Sequence, residues 1–237
     1  LGEYQRAIDY YLQSLEIARE IGFRLGEGHF LNNLGNAYNS LGEYQRAIDY
    51  YQPSLEIAQE IGDRSEEGNS LNGLGNAYNS LGEYQRAIDY YLQSLAIAWE
   101  IGDRSEEGNS LNSLGNVYAS LGEYQRAIDY YLQSLAIKQE IGDHSGMAHV
   151  LNNLGNVYNF QGEYQRAIEY HQKSLTIAKE IDDRSGIASS LMGLGNAYDS
   201  LGEYQRAKEY YQHSLAIREE IGTPIPATFP GTGGLTR

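Results

Sequence analysis

Apolar residues recur at helical spacing in two alternating stretches, and the alternation itself repeats along the chain. Between Ser65 and Leu81 the apolar and small positions are Leu71, Leu74, Gly75 and Tyr78, spaced i, i+3, i+4, i+7, which puts them on one face of an amphipathic helix. From Glu83 onward Tyr84, Ala87, Ile88, Tyr91, Leu95 and Ala98 do the same, ending at Ile101 and Gly102. Gly82 supplies the turn between them. The pattern predicts a helix A and a helix B, the latter of roughly 19 residues and about 28 Å. Ser65, followed by Glu66 and Glu67, is expected to cap helix A: its hydroxyl accepts an unpaired amide, and the two anions face the positive end of the dipole.

The same pair returns every 40 residues. Leu-Gly-Glu-Tyr-Gln-Arg-Ala opens at Leu1, Leu41, Leu81, Leu121 and Leu201, with Gln161 replacing the leucine in one copy. A fixed period of this length marks a solenoid, in which each unit buries its apolar face by stacking on its neighbours. The expected fold class is therefore all-α, an α-solenoid of stacked antiparallel helix pairs. We read a solenoid over 1–222, made of an unpaired helix B at 3–21 and pairs near 26–61, 66–101, 106–141, 146–181 and 186–221, eleven helices in all. Residues 223–237 hold three of the four prolines and three glycines, a tail expected to be extended or disordered. Lys208 stands where other copies have isoleucine, as at Ile88, which suggests that the stack ends there. Leu1 falls in mid-repeat, so the chain reads as a piece of a longer protein.

Small residues mark a close approach of helices. Gly75 recurs as Gly35, Gly115, Gly155 and Gly195, and Ala87 as Ala47, Ala127, Ala167 and Ala207. Leu74, Gly75, Tyr78, Gly82, Tyr84, Ala87 and Tyr91, with Ser94 where an alanine is usual, resemble the tetratricopeptide repeat. The 40-residue period is similar to the variant in spindle-orientation scaffolds, kinesin light chains and bacterial sensor proteins. The resemblance implies a right-handed superhelix with a concave groove lined by the A helices.

Composition narrows the partners. A formal charge of −15 and a pI near 4.7 argue against nucleic acid, which is bound chiefly through Lys and Arg. No run approaches the ~20 apolar residues of a membrane span, and no signal peptide is visible. The chain has no cysteine, which excludes disulfides and thiolate metal sites and fits a cytoplasmic location. The five histidines lack ligand spacing, so no metal or other cofactor is expected. Serines and aspartates are spread periodically rather than converging, so no catalytic site and no enzyme activity are expected. The acids of one copy, Glu83, Asp89, Glu100, Asp103, Glu106 and Glu107, outnumber Arg86 and Arg104; we read them as solvated faces with pairing among Glu83, Arg86 and Asp89.

All 22 tyrosines occupy four repeat positions and are expected to pack rather than to stack bases. Asparagine stands out instead. Asn69, Asn72, Asn76 and Asn79 form one stripe on helix A, about 130° around from the leucine stripe at 100° per residue, and on this geometry it faces away from helix B. Equivalent stripes are Asn32, Asn36 and Asn39; Asn109, Asn112 and Asn116; Asn152, Asn156 and Asn159; and Asn196. Asparagine is a mediocre helix former, whereas its carboxamide matches the N–H and C=O of an extended peptide. The resemblance implies that such asparagines hold a partner's backbone. The function expected is a protein interaction module that binds a peptide in this groove, the amides lying unsatisfied and open. The alternative is a regulatory repeat arm of a larger bacterial signalling ATPase or caspase-like protease. His29 and His149 at the stripe's first position are candidates for selectivity.

Three single positions complete the reading. Pro53 should bend its helix B, Trp99 should be exposed, and His171 replaces a packing tyrosine. The first helix B, with Tyr4, Ala7, Ile8, Tyr11 and Leu15, lacks its own helix A and is expected to support weak self-association through an open apolar face.

Overall fold

The computed structural model describes residues 2–222, with side chains from Tyr4 onward; the tail at 223–237 lies outside the described residues. These contain eleven α-helices and no strand, in two compact units that meet in sequence at Leu121 and Gly122.

The first unit holds α1 (Gly2–Glu20), α2 (Arg24–Ser40), α3 (Tyr44–Ile61), α4 (Arg64–Ser80), α5 (Tyr84–Ile101) and α6 (Arg104–Ser120). Each helix packs on the next, and α2, α4 and α6, the A helices, also touch in succession. The second unit holds α7 (Tyr124–Glu140), α8 (His144–Phe160), α9 (Tyr164–Glu180), α10 (Arg184–Ser200) and α11 (Tyr204–Glu220), with the same sequential packing and an α8–α10 contact. Within each unit the A helices thus form a continuous layer. No described helix is long and apolar enough to cross a membrane.

Turn chemistry explains the register. Gly82 adopts φ +78°, and Glu83 N–H then donates to Tyr78 C=O at 2.9 Å, closing the end of helix A. Gly62 and Gly102 do the same for helix B at φ +72°. That reversal puts Asp63, not Ser65, at the N-cap: its carboxylate accepts from Glu66 N–H at 3.1 Å, as Asp103 does from Glu106 N–H at 3.0 Å and Asp143 from Gly146 N–H at 2.8 Å. The cap expected at Ser65 therefore moves two residues upstream. After α9 the turn residue is Asp182, at φ +56°, the one non-glycine among the described residues in the left-handed region. Asp182→Gly should raise stability by about 1 kcal/mol, because a Cβ is disfavoured there; thermal melts of the two proteins check it.

The core is built on leucines and an inner aromatic. Leu34, Leu74, Leu114, Leu154 and Leu194 are fully buried. A Cβ on Gly35 would come within 2.5 Å of the Tyr51 ring, one on Gly75 within 2.5 Å of Tyr91, and one on Gly155 within 2.7 Å of His171. The ring's other face meets the next helix A: a side chain on Gly73 would overlap Tyr51, and one on Gly193 would overlap His171. Other tyrosines pack as expected, Tyr38 on Tyr50 and Tyr78 on Tyr90 in stacked pairs at 5.2 and 5.4 Å, with Arg46 over Tyr38 and Arg86 over Tyr78; Tyr10 and Tyr204 are exposed.

Ser94, where the repeat usually has alanine, is fully buried and donates to Gly68 C=O at 3.0 Å, while Ser110 of the next helix A donates to it at 3.1 Å. Ser54 repeats this with Gly28 C=O and Ser70, and Ser174 with Ala148 C=O and Ser190. A buried hydroxyl is tolerable because it is bonded.

Two expectations change. Ile8 and Leu15 of α1 are buried in the core with Leu31 and Leu34 of α2, so the apolar face of the first helix is covered there. Tyr4 of that face stays exposed, with Tyr10, Leu12 and Ile17. Helix α3 includes Pro53 within its span. The acids are not uniformly solvated: Glu27, Glu67 and Glu107 are buried, each paired with the arginine three residues before it, Arg24, Arg64 or Arg104, and Arg24 and Arg64 also reach Glu60 and Glu100 on the following B helices. The Glu83–Arg86 pair forms at 2.9 Å on the surface, while Asp89 takes its bond from Gln85. Trp99 is exposed at 60% and Lys208 is exposed.

Candidate functional site

The layer of A helices in the first unit carries a groove of about 720 Å³, lined by α2, α4 and α6. Its wall is almost entirely polar. Asn32, Asn36, Asn69, Asn72, Asn76, Asn109 and Asn112 all face it, which brings together the first three positions of the stripe on α4 and two each on α2 and α6. Asn39, Asn79 and Asn116, later on the same helices, lie outside that lining. In the second unit Asn152, Asn156 and Asn159 stand on α8 and Asn196 on α10.

Hydrogen bonding divides these amides into two groups and corrects the expectation that all lie open. Tyr51, Tyr91 and Tyr211 donate their phenol O–H to Asn36, Asn76 and Asn196 at 2.8, 2.7 and 2.9 Å. The stripe therefore borders helix B rather than turning away from it. Asn76 in turn donates to Asn72 at 3.0 Å, and Asn72 donates to the Glu106 carboxylate at 2.5 Å. Asn72 and Asn76 are held from both ends by the protein. Burial raises the phenol pKa of Tyr51 and Tyr91 well above the ordinary value and pushes that of Tyr211 up to about 12, so all three remain donors.

Three other amides keep free groups. Asn33 and Asn69 line the groove with no bond to another protein group, and Asn36 uses only its oxygen, leaving its NH₂ toward the ligand space. Asn32 is buried to 7% exposure, and its oxygen has no donor.

His29, at the stripe's first position on α2, also lines the groove. Outside the stripe, Glu66, Glu106, Gly73, Ser113 and Asn33 complete the lining. The two glutamates precede Asn69 and Asn109 by three residues, so extending the i, i+3 series one step toward the N-terminus would have found them. Asn33, Gly73 and Ser113 each follow a stripe asparagine or its equivalent, Asn32, Asn72 and Asn112. Burial pushes the Glu106 carboxyl above the ordinary carboxylate range, and bonds from Asn109, Asn72 and Ser94 only partly offset this. In the second unit the corresponding positions are Gly146 and Gly186, so its A helices carry no carboxylate there. Among the described residues no group of histidines and acids could hold a metal ion.

The tetratricopeptide-repeat family model matches residues 1–60, 27–100, 67–140, 104–180 and 146–220, successive windows that span the helical part of the chain. The chain belongs to the tetratricopeptide-repeat family. It is thus built on a protein-interaction fold. No curated protein matches it. Solved structures similar to this tetratricopeptide-repeat chain include BtubC (BKLC) from P. vanneervenii, 23% identical, with 94% of each chain covered and a TM-score of 0.78. A Rap protein complexed with competence and sporulation factor is 15% identical over 93% of this chain and 72% of its own, at a TM-score of 0.75. A signal transduction ATPase with a tetratricopeptide-repeat sensor, from Pyrococcus horikoshii, is 20% identical, with a TM-score of 0.71; it covers 85% of this chain, which spans 31% of that protein. At these identities the likeness is one of fold.

Proposed function

We propose that the chain is a peptide-binding interaction module, and that an extended segment of a partner protein lies along α2, α4 and α6. The observation that carries this reading is the amide-lined groove, in which Asn33, Asn36 and Asn69 present hydrogen-bonding groups that no protein group uses. Amides of this kind complement a peptide backbone whatever its side chains. The bound pairs behind them act as a scaffold: Tyr91 fixes Asn76, Asn76 fixes Asn72, and the wall is pre-formed, which lowers the ordering cost of binding.

Selection of a random decapeptide library on the immobilised chain tests this. Each lost bond is worth about 0.5–1.5 kcal/mol, so peptides enriched on the wild type should bind the Asn33→Ala/Asn36→Ala/Asn69→Ala variant at least about tenfold more weakly. Equal binding to both proteins would remove the groove from the interaction.

A second reading is a sensor arm that restrains an enzyme elsewhere in a longer protein. The likeness to the sensor of a signal transduction ATPase supports it. A nucleotide-binding loop, or a Cys/His pair, in the gene sequence flanking these repeats would favour it.

A further inference from the structure

We infer that Glu66 and Asn32, at the α2–α4 end of the groove, form a subsite for a cationic side chain, the guanidinium of an arginine or the ammonium of a lysine in the bound peptide. This deepens the peptide-binding reading and rests on it.

Two equivalent sites can be compared within the molecule. At the first, Glu106 accepts from the amides of Asn72 at 2.5 Å and Asn109 at 3.3 Å, and the Ser94 and Ser110 hydroxyls, at 3.2 and 3.4 Å, share their single protons between it and Gly68 C=O or Ser94. Two amide donors and two shared hydroxyls surround that carboxylate. At the second, shifted by one repeat, Glu66 is buried to 8% exposure, and the one hydroxyl beside it, Ser54 at 3.4 Å, shares its proton with Gly28 C=O at 2.9 Å. The Asn32 amide, which corresponds to Asn72, makes no bond to it and has an unpaired oxygen at 7% exposure. The arginine nearest in sequence, Arg64, is committed to Glu67 and Glu100. Among the described residues the basic group beside Glu66 is His29, whose Nε2 stands 3.6 Å from it and 3.7 Å from Asp63.

A carboxylate this deeply buried without a cation or a full set of donors is costly. Here it lies beside a second acceptor, both on the wall of an open groove. Glu66 offers only acceptors and the unpaired Asn32 oxygen is another, a pair that matches a group with only donors. Guanidinium and ammonium are such groups, and an exchange of water for a charge-assisted bond to Glu66 is among the stronger polar contacts available. The chain's charge of −15 draws such ligands in.

The test is the library selection repeated on the wild type and on Glu66→Gln, with recovered peptides sequenced. Arginine or lysine should be enriched at least about fivefold at one peptide position, and Glu66→Gln should remove that enrichment while peptides are still recovered. Peptides recovered with no basic preference, or with the same preference on Glu66→Gln, overturn the subsite and leave the groove standing. No recovery above the Asn33/Asn36/Asn69 alanine variant overturns both. A measurement on the unaltered protein guards against a misfolded variant: N-acetyl-arginine methylamide should displace a selected peptide, and the citrulline analogue, neutral and of nearly the same shape, should not. Equal displacement by the two compounds overturns the cationic subsite.

Discussion

Gly73→Ala should cost about 2–3 kcal/mol of stability, the range for forcing a group into a packed core. The added methyl would overlap the Tyr51 ring, and that ring has nowhere to move: Gly35 bounds its other face, its O–H is tied to Asn36 at 2.8 Å, and it is almost fully buried. Urea denaturation followed by circular dichroism gives the measurement. The comparison is internal, because the equivalent position beside Tyr91 is Ser113; Ser113→Ala should lose no more than about 1 kcal/mol, the value of one hydrogen bond. Tyr51→Leu, destabilising alone, should recover part of the loss when combined with Gly73→Ala, because the clash is removed. A Gly73→Ala protein within 0.5 kcal/mol (about the size of an ordinary surface change) would show that the joint between these repeats is not set by the ring.

His171 makes the chain acid-sensitive in a way that its tyrosine equivalents do not. The ring is fully buried between Gly155 and Gly193; Nδ1 bonds Asn152 at 2.9 Å and Nε2 has no partner. A second proton would have to sit on Nε2 with nothing to accept it, and burial pushes the imidazole pKa down to about 4. In the unfolded chain it returns to about 6.5. Between those values the unfolded state binds more protons than the folded one, so this residue's contribution is intact above pH 6.5, falls as the pH is lowered, and is fully lost below 4. At 1.36 kcal/mol per pKa unit the loss approaches about 3 kcal/mol. His171→Tyr should abolish this component and gain the O–H bond to Asn156 that Tyr51, Tyr91 and Tyr211 make to Asn36, Asn76 and Asn196. Thermal melts from pH 7.5 to 4 on both proteins should therefore diverge with acid. Parallel curves would mean that the imidazole is not the group responsible.

Much of the fold could be read from period and spacing alone, because Leu74, Gly75, Tyr78 and Ala87 carry their packing roles in their size and register. What lay outside that reading depended on neighbours a single helix does not contain. Ser65 looked like a cap until the left-handed Gly62 brought Asp63 to the helix start. Glu67 and Glu107 looked solvated, yet Arg64 and Arg104 cover them. Asn76 looked free, and a phenol fifteen residues away holds it. The asparagine stripe marks a wall of the groove between α2, α4 and α6; which of its amides keep free groups depends on helix B and on the next helix A. Glu66 and Glu106 do not stand out in the sequence as groove residues, because a carboxylate in a first turn already has a sufficient local explanation in the helix dipole.

The serine ties carry a consequence for how such a protein evolves. Ser94 fastens its helix pair internally to Gly68, and Ser110 of the following pair fastens to Ser94; Ser54 with Ser70 and Ser174 with Ser190 show the same knot, whereas Val150 stands at that position on α8. A repeat inserted or deleted by recombination at one of the serine junctions finds the same fastening on both sides. Copy number can then drift without any compensating substitution, and the span of partner that the module can engage becomes a heritable length, adjustable in whole-repeat steps.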